Sequence, residues 1–211
     1  MMIGLFLYAV GIVLTINANI GYAPWEVFHV GLTLKTGLSL GIISIIVGVL
    51  IAIIVTALGE KLGFGTISNM IFIGLFIDII ILNKIIPIAK SHVIGTVMLI
   101  TGLFIISIGS YFYIKSAFGV GPRDNLMVVL ARKTKLPVGL CRLLVELFAT
   151  TVGWFLGGMV GVGTVISVVA IGFFIQLVFK ILRFDITKVK HETLGETCAT
   201  VRGIFRRESG K

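Results

Sequence analysis

Two stretches of the chain place a proline, an acid and backbone-breaking glycines in the same order: Asn17-Ala-Asn19-Ile-Gly21-Tyr-Ala-Pro24-Trp25-Glu26 and Phe118-Gly119-Val-Gly121-Pro122-Arg123-Asp124-Asn125. Each puts an acid two residues after the proline, in the first turn of a helix that proline is suited to start. Three readings of these breaks stand. Glu26 and Asp124 complement unpaired N–H groups and the positive end of a helix dipole; or the breaks fold inward and line a polar path with acids, amides and free N–H groups; or the short helices lie at the membrane interface, outside any path. Trp25 and Tyr22 also fit an aromatic anchoring belt. Ionisable groups within apolar runs are costly and invite a functional reading. Asp78 is one, matched by Gln176 in the second half; Arg142 and Glu146, four apart on one helix face, can pair with each other. The candidates for a substrate path are therefore Asn19, Pro24, Trp25 and Glu26 from the first break, Pro122, Arg123, Asp124 and Asn125 from the second, and Asp78, Arg142, Glu146 and Gln176 from the apolar runs. No nucleophile elbow, zinc-protease motif or phosphate loop occurs, so catalysis, metal and cofactor are not expected. His29 has no ligand partner at helical spacing and reads as an interfacial or hydrogen-bonded histidine.

The elements that position these residues must be membrane helices. Of the 211 residues 57% are hydrophobic and only 13% charged, with a mean hydropathy of +1.14; a soluble domain carries about 25% charged residues. The long runs, such as Gly41 to Leu58, are apolar on every face, whereas barrel strands would alternate. The expected fold is all-α: a polytopic helical bundle of about six transmembrane helices.

The bundle is expected to be duplicated. At an offset of 98 residues, 23 of the first 80 positions meet an identical residue, and eight of the eleven glycines in the first copy meet a glycine. The pattern predicts crossings near 3–17, 38–58 and 66–83, repeated near 94–114, 138–157 and 164–182. A short helix follows the first crossing of each copy, from Pro24 to about Leu34 and from Pro122 to about Lys133, and covers about half the bilayer at 1.5 Å per residue. Repeat 1 is assigned to residues 1–92, repeat 2 to 93–182, and a polar cytoplasmic tail to 183–211. Three crossings per copy would invert the second copy relative to the first. The basic residues agree with this: with both termini cytoplasmic, only Lys35, Lys84 and Lys90 of the 18 lysines and arginines lie outside, and Lys61, the group Lys115, Arg123, Arg132, Lys133, Lys135 and Arg142, and everything from Lys180 onward lie inside.

The net charge of +9 reflects orientation and contact with anionic lipid; nucleic acid is not an expected partner. The bilayer is one partner, a small molecule or ion a second, and self-association is left open. Cys141 and Cys198 form no disulfide framework. The start of the chain lacks a basic segment and a small-residue cleavage site, so a cleaved signal peptide is not expected. Thr66, Thr164 and Asn69 are expected to cap helices or to bond between them.

The runs Ala18-Asn19-Ile-Gly21-Tyr-Ala-Pro24-Trp25-Glu26-Val, Thr36-Gly37-Leu-Ser39-Leu-Gly41, Gly63-Phe-Gly65-Thr66, Gly74-Leu-Phe-Ile-Asp78 and Gly119-Val-Gly121-Pro122-Arg123-Asp124 resemble the YczE-like bacterial membrane proteins, which are distantly similar to the YitT group. The likeness spans about residues 4 to 182. It departs at Glu26, where the family more often has aspartate, and in the tail. The resemblance implies a bacterial inner-membrane protein and names no substrate or reaction. Duplicated, interrupted helices point to transport of a small molecule or ion. The alternative is a non-transporting accessory protein that binds a partner within the membrane.

Overall fold

The computed structural model describes residues 1–60, 62–119 and 121–184. Lys61, Cys198 and the polar tail from residue 185 onward, each assigned a place above, lie outside the described residues. Eight helices follow one another, with no strand among the described residues: α1 (Met2–Asn17), α2 (Pro24–Thr36), α3 (Leu40–Ala57), α4 (Phe64–Leu82), α5 (His92–Lys115), α6 (Pro122–Thr134), α7 (Val138–Phe155) and α8 (Val162–Ile181). The boundaries lie within about three residues of those expected from hydropathy. Local chemistry explains where they fall. Pro24 and Pro122 open α2 and α6, where a missing N–H costs nothing. Ser39 and Ser91 accept from the third residue on at the starts of α3 and α5. As expected for Thr66 and Thr164, each hydroxyl accepts from a turn glycine, Gly63 N–H at 3.4 Å and Gly161 N–H at 3.1 Å.

Five helices (α3, α4, α5, α7 and α8) are long and apolar enough to cross a membrane. The apolar α1 has 16 residues and reaches about 24 Å. Exposed side chains such as Leu50, Ile53, Phe148, Phe155 and Val169 would be destabilising against water and suit lipid instead. The chain is a multi-pass helical membrane protein.

Packing runs through glycine. Where α1 crosses α5, a Cβ on Gly11 would sit 2.7 Å from Gly102 O, and one on Gly4 would sit 2.9 Å from Gly109 O. These two contacts run the helices antiparallel and let their backbones touch, the usual means of association where lipid supplies no hydrophobic drive. They are also reciprocal, because 4 + 98 = 102 and 11 + 98 = 109. The same reciprocity holds at the breaks: Gly65 N–H donates to Phe118 O at 2.6 Å and Gly163 N–H to Ile20 O at 2.8 Å, each atom pair mapping on the other at the 98-residue offset. Positive φ angles recur at that offset too, at Asn19 and Ala117 and at Gly21 and Gly119. Around the α1–α5 centre, α4 packs on α1 and α8 on α5, while α2 lies against α7 and α6 against α3. Each short helix thus rests on the other half of the chain.

Candidate functional site

The first turns of α2 and α6 meet inside the bundle. Arg123, in the first turn of α6, reaches across to α2: its Nη1 lies 3.6 Å from Glu26 Oε1, its Nη2 lies 3.3 Å from His29 Nδ1, and its guanidinium stacks 4.8 Å from the centroid of a Trp25 ring. Glu26 and His29 are buried. A buried carboxylate needs a compensating charge, and Arg123 supplies the cation. Trp25 is therefore turned inward against a cation, which corrects the anchoring role that its position beside a crossing suggested.

Beside this junction lies a cavity of about 390 Å³, to whose wall all eight helices contribute, α2 through Trp25. Trp25, Pro122, Arg123, Asp124, Arg142 and Glu146, all anticipated as path residues, line it. Arg142 Nε donates to Glu146 Oε1 at 2.8 Å, as the four-residue spacing predicts. Asp124 is exposed to the cavity although it lies deep in the chain, and no arginine or lysine reaches ion-pair distance of it among the described residues. Tyr113 also lines the cavity; its side chain is 3% exposed, and its hydroxyl has no hydrogen-bond partner among the described residues. The remaining wall is mostly aliphatic, with Ile12, Ile73, Ile106 and Ile171 among its members. Apolar walls with a few convergent polar groups are what a small-molecule site requires.

Other candidates lie elsewhere. Asn19 is exposed in the first break, and Gln176 is exposed on α8 away from the cavity wall. Pro24 is buried at the start of α2, and Asn125 is half-buried one residue past Asp124; neither lines the cavity. Asp78 is drawn to α3 instead. Ser39 Oγ donates to Asp78 Oδ2 at 2.5 Å and Gly41 N–H donates to Oδ1 at 2.7 Å, so one carboxylate of α4 caps the start of α3. There Gly41 and Gly74 bring the two backbones together, and a Cβ on Gly74 would be 2.6 Å from Gly41 O. The matched positions behave differently. Gly139 and Gly172 have nothing within 4 Å of where a Cβ would stand, and Pro137 stands in place of Ser39. The α3–α4 seam is closed; its counterpart between α7 and α8 is open.

Sequence reasoning missed Tyr8, Ser44, Ser110 and Tyr113 as cavity residues, because single hydroxyls within a span are common helix-bonding groups. Ser110 and Tyr113, three apart, share a helix face, and that spacing was the available signal. A second space of about 670 Å³ is lined almost wholly by apolar side chains of α2, α3, α6 and α7. Its walls match in pairs at the 98-residue offset, Phe28 with Leu126, Leu32 with Leu130 and Val47 with Val145 among them. Trp25 lines both spaces and divides the polar one from the apolar one.

A multi-pass helical bundle with an internal cavity rich in paired charge is the class that these features define. The chain belongs to the family of unknown function DUF6198, which matches residues 1–180, in keeping with its likeness to the YczE-like proteins. It is 33% identical over 177 residues to the uncharacterized membrane protein YczE of Bacillus subtilis (strain 168), covering 82% of this chain and 80% of the relative. An uncharacterized protein of Haemophilus influenzae is 28% identical over 182 residues, 86% of this chain and 83% of the relative. The uncharacterized protein YyaS of Bacillus subtilis (strain 168) is 27% identical over 169 residues, 79% of this chain and 84% of the relative. No solved structure matches the chain significantly.

Proposed function

We propose that this protein is a small-molecule transporter of the bacterial inner membrane, rather than an enzyme, built from two inverted copies of one unit with three crossings and a re-entrant half-helix. In this reading α1 is the sixth crossing, residues 1–92 and 93–182 are the two copies, and both termini are cytoplasmic. The reciprocal glycine contacts and hydrogen bonds at the 98-residue offset support the duplication. The ion pair between Glu60 and Arg132 supports one face for the α3–α4 turn and the end of α6, where the positive-inside rule puts cytoplasm.

One observation carries the transport reading: equivalent seams of the two copies are in opposite states. The α3–α4 seam is latched by Asp78, whereas the α7–α8 seam is open and the cavity extends to it, reaching Val138 and Phe179. The neighbouring ends carry Lys115, Lys135 and Lys180, so the open seam faces the cytoplasm. Exchanging the states of the two seams would expose the same cavity to the other side, which is how inverted repeats achieve alternating access.

Proteoliposomes charged with a panel of amines, carboxylates, sugars and inorganic ions test this proposal. Flux of at least one solute is expected, and Asp78→Asn and Asp124→Asn should each reduce it at least tenfold. Unchanged flux in both variants would remove the path. The apolar space between α2, α3, α6 and α7 favours the rival reading, an accessory protein that seats a partner's transmembrane helix. That reading expects no flux for any solute and a partner retained through purification.

A further inference from the structure

The cavity wall holds one carboxylate with no ion-pair partner among the described residues, which Arg142 and Arg123 reach only at longer range. Three carboxylates and two guanidinium groups stand at the junction and the cavity wall: Glu26 is matched by Arg123 and Glu146 by Arg142. Asp124 is left over, and it is the one exposed to the open space. The N-terminal end of α6 offsets about half a unit charge at most, and no cation at ion-pair distance among the described residues offsets the rest. A second group points the same way. The Tyr113 hydroxyl is buried and unpartnered on the same wall and lies within electrostatic reach of Asp124. Leaving such a hydroxyl unpaired is unfavourable, and its oxygen can accept from an N–H.

We propose that the cavity binds a small organic ammonium compound, with Asp124 as its counter-ion, the Tyr113 hydroxyl as a further acceptor and the aliphatic wall around its carbon skeleton. This names the substrate class of the transport reading and rests on it. An inorganic divalent cation fits less well: no group of three or more His, Cys, Asp or Glu residues able to hold a metal occurs among the described residues, and hard cations take six or more oxygen ligands. The volume, about 390 Å³, lies within the range of small-molecule sites and far exceeds a bare ion. An anion would meet Asp124, while the two guanidinium groups of the wall are already engaged by Glu26 and Glu146.

Trp25 supplies the probe, since the chain has two tryptophans and Trp154 is 59% exposed. In full-length Trp154→Phe protein reconstituted in lipid nanodiscs, N-methylpyridinium, a permanent organic cation that quenches indole by contact, should quench Trp25 saturably. Butylammonium should displace it, and butyrate and magnesium should not. Asp124→Asn should weaken binding of both cations at least tenfold and Tyr113→Phe that of butylammonium, which alone carries N–H donors, about threefold, with Asp124→Glu recovering most of the loss and showing that the fold is intact. Quenching that does not saturate, that ignores Asp124→Asn, or that butyrate reverses better than butylammonium would overturn the proposal. Measuring butylammonium flux in proteoliposomes of the same protein separates the two claims. Saturable binding without flux upholds the ammonium site and removes transport, and flux of a different solute with no ammonium binding removes the site and leaves transport standing.

Discussion

The α3–α4 pair and the α7–α8 pair share a sequence pattern at the 98-residue offset, yet one is closed and the other open. In the first, Gly41 and Gly74 bring two backbones into contact, Gly48 leaves room for Met70, and Asp78 binds the exposed start of α3. In the second, Gly139 and Gly172 survive but touch nothing. Where α3 carries Ser44 and Gly48, α7 carries Arg142 and Glu146, and no small face is left for α8 to approach. The latch is gone too: Gln176 replaces Asp78 and Pro137 replaces Ser39. Glycines that pack nothing in the structure and yet match glycines that pack tightly point to a surface that closes in another state.

The largest expected effect comes from the charges that hold the seam apart. Arg142→Ala leaves Glu146, 8% exposed, without its cation. Removing one partner of a buried pair costs about 3 kcal/mol or more, with the lower value apt because the Arg142 side chain is 39% exposed. Ser44→Ala, its counterpart on α3, should change stability by less than about 0.5 kcal/mol. Thermal unfolding in detergent, followed by loss of the monodisperse peak, measures both. Equal losses would mean that the two helix faces are not differently built.

Next come the glycines. Gly41→Val forces a side chain into the Gly74 carbonyl and the Asp78 carboxylate, and overpacking of this kind costs about 1 to 3 kcal/mol. Gly139→Val meets open space and should leave thermal stability unchanged. Its effect on function is expected to be the opposite of mild: if the α7–α8 seam must close during a cycle, flux in proteoliposomes should fall at least tenfold. Normal flux in Gly139→Val would show that this seam stays open throughout.

How much of this was legible depends on what each interaction requires. The helices were readable because every face of a bilayer helix must be apolar and every break needs Gly or Pro, so Pro24, Pro122 and the turn glycines marked the boundaries. The Arg142–Glu146 pair was readable because it lies within one helix. The junction of Arg123 with Glu26 and His29 was not, since it joins residues nearly a hundred positions apart through a packing that no local pattern encodes. Asp78 stood out as an acid in an apolar run, but its partners are a hydroxyl and a backbone N–H at the start of another helix, and a backbone donor has no sequence signature. The open state of the second seam was equally hidden, because Gly139 and Gly172 look the same in sequence whether they touch a neighbour or not.

The smallest expected effects come from moving the latch itself. Asp78→Asn keeps the shape and loses the charge on two hydrogen bonds, a change of about 1.5 kcal/mol, and should let the α3–α4 end open. A cysteine at Ser44, in a Cys141→Ala, Cys198→Ala background, should then label several-fold faster with an impermeant maleimide applied from the periplasmic side. The converse change is the sharper one. Pro137→Ser with Gln176→Asp builds on α7 and α8 the pair that Ser39 and Asp78 form on α3 and α4, with the Gly139 N–H in the place of the Gly41 donor. Serine suits this N-cap position, so the double variant should gain up to about 1 kcal/mol and draw the α7–α8 seam toward closure. A cysteine at Ser110 on the cavity wall, probed in inside-out vesicles, should label several-fold more slowly than in the parent. Labelling that is unchanged or faster would mean that the difference between the two seams is fixed by the rest of the bundle and not by the latch, and the matched glycines would lose their reading as a surface in waiting.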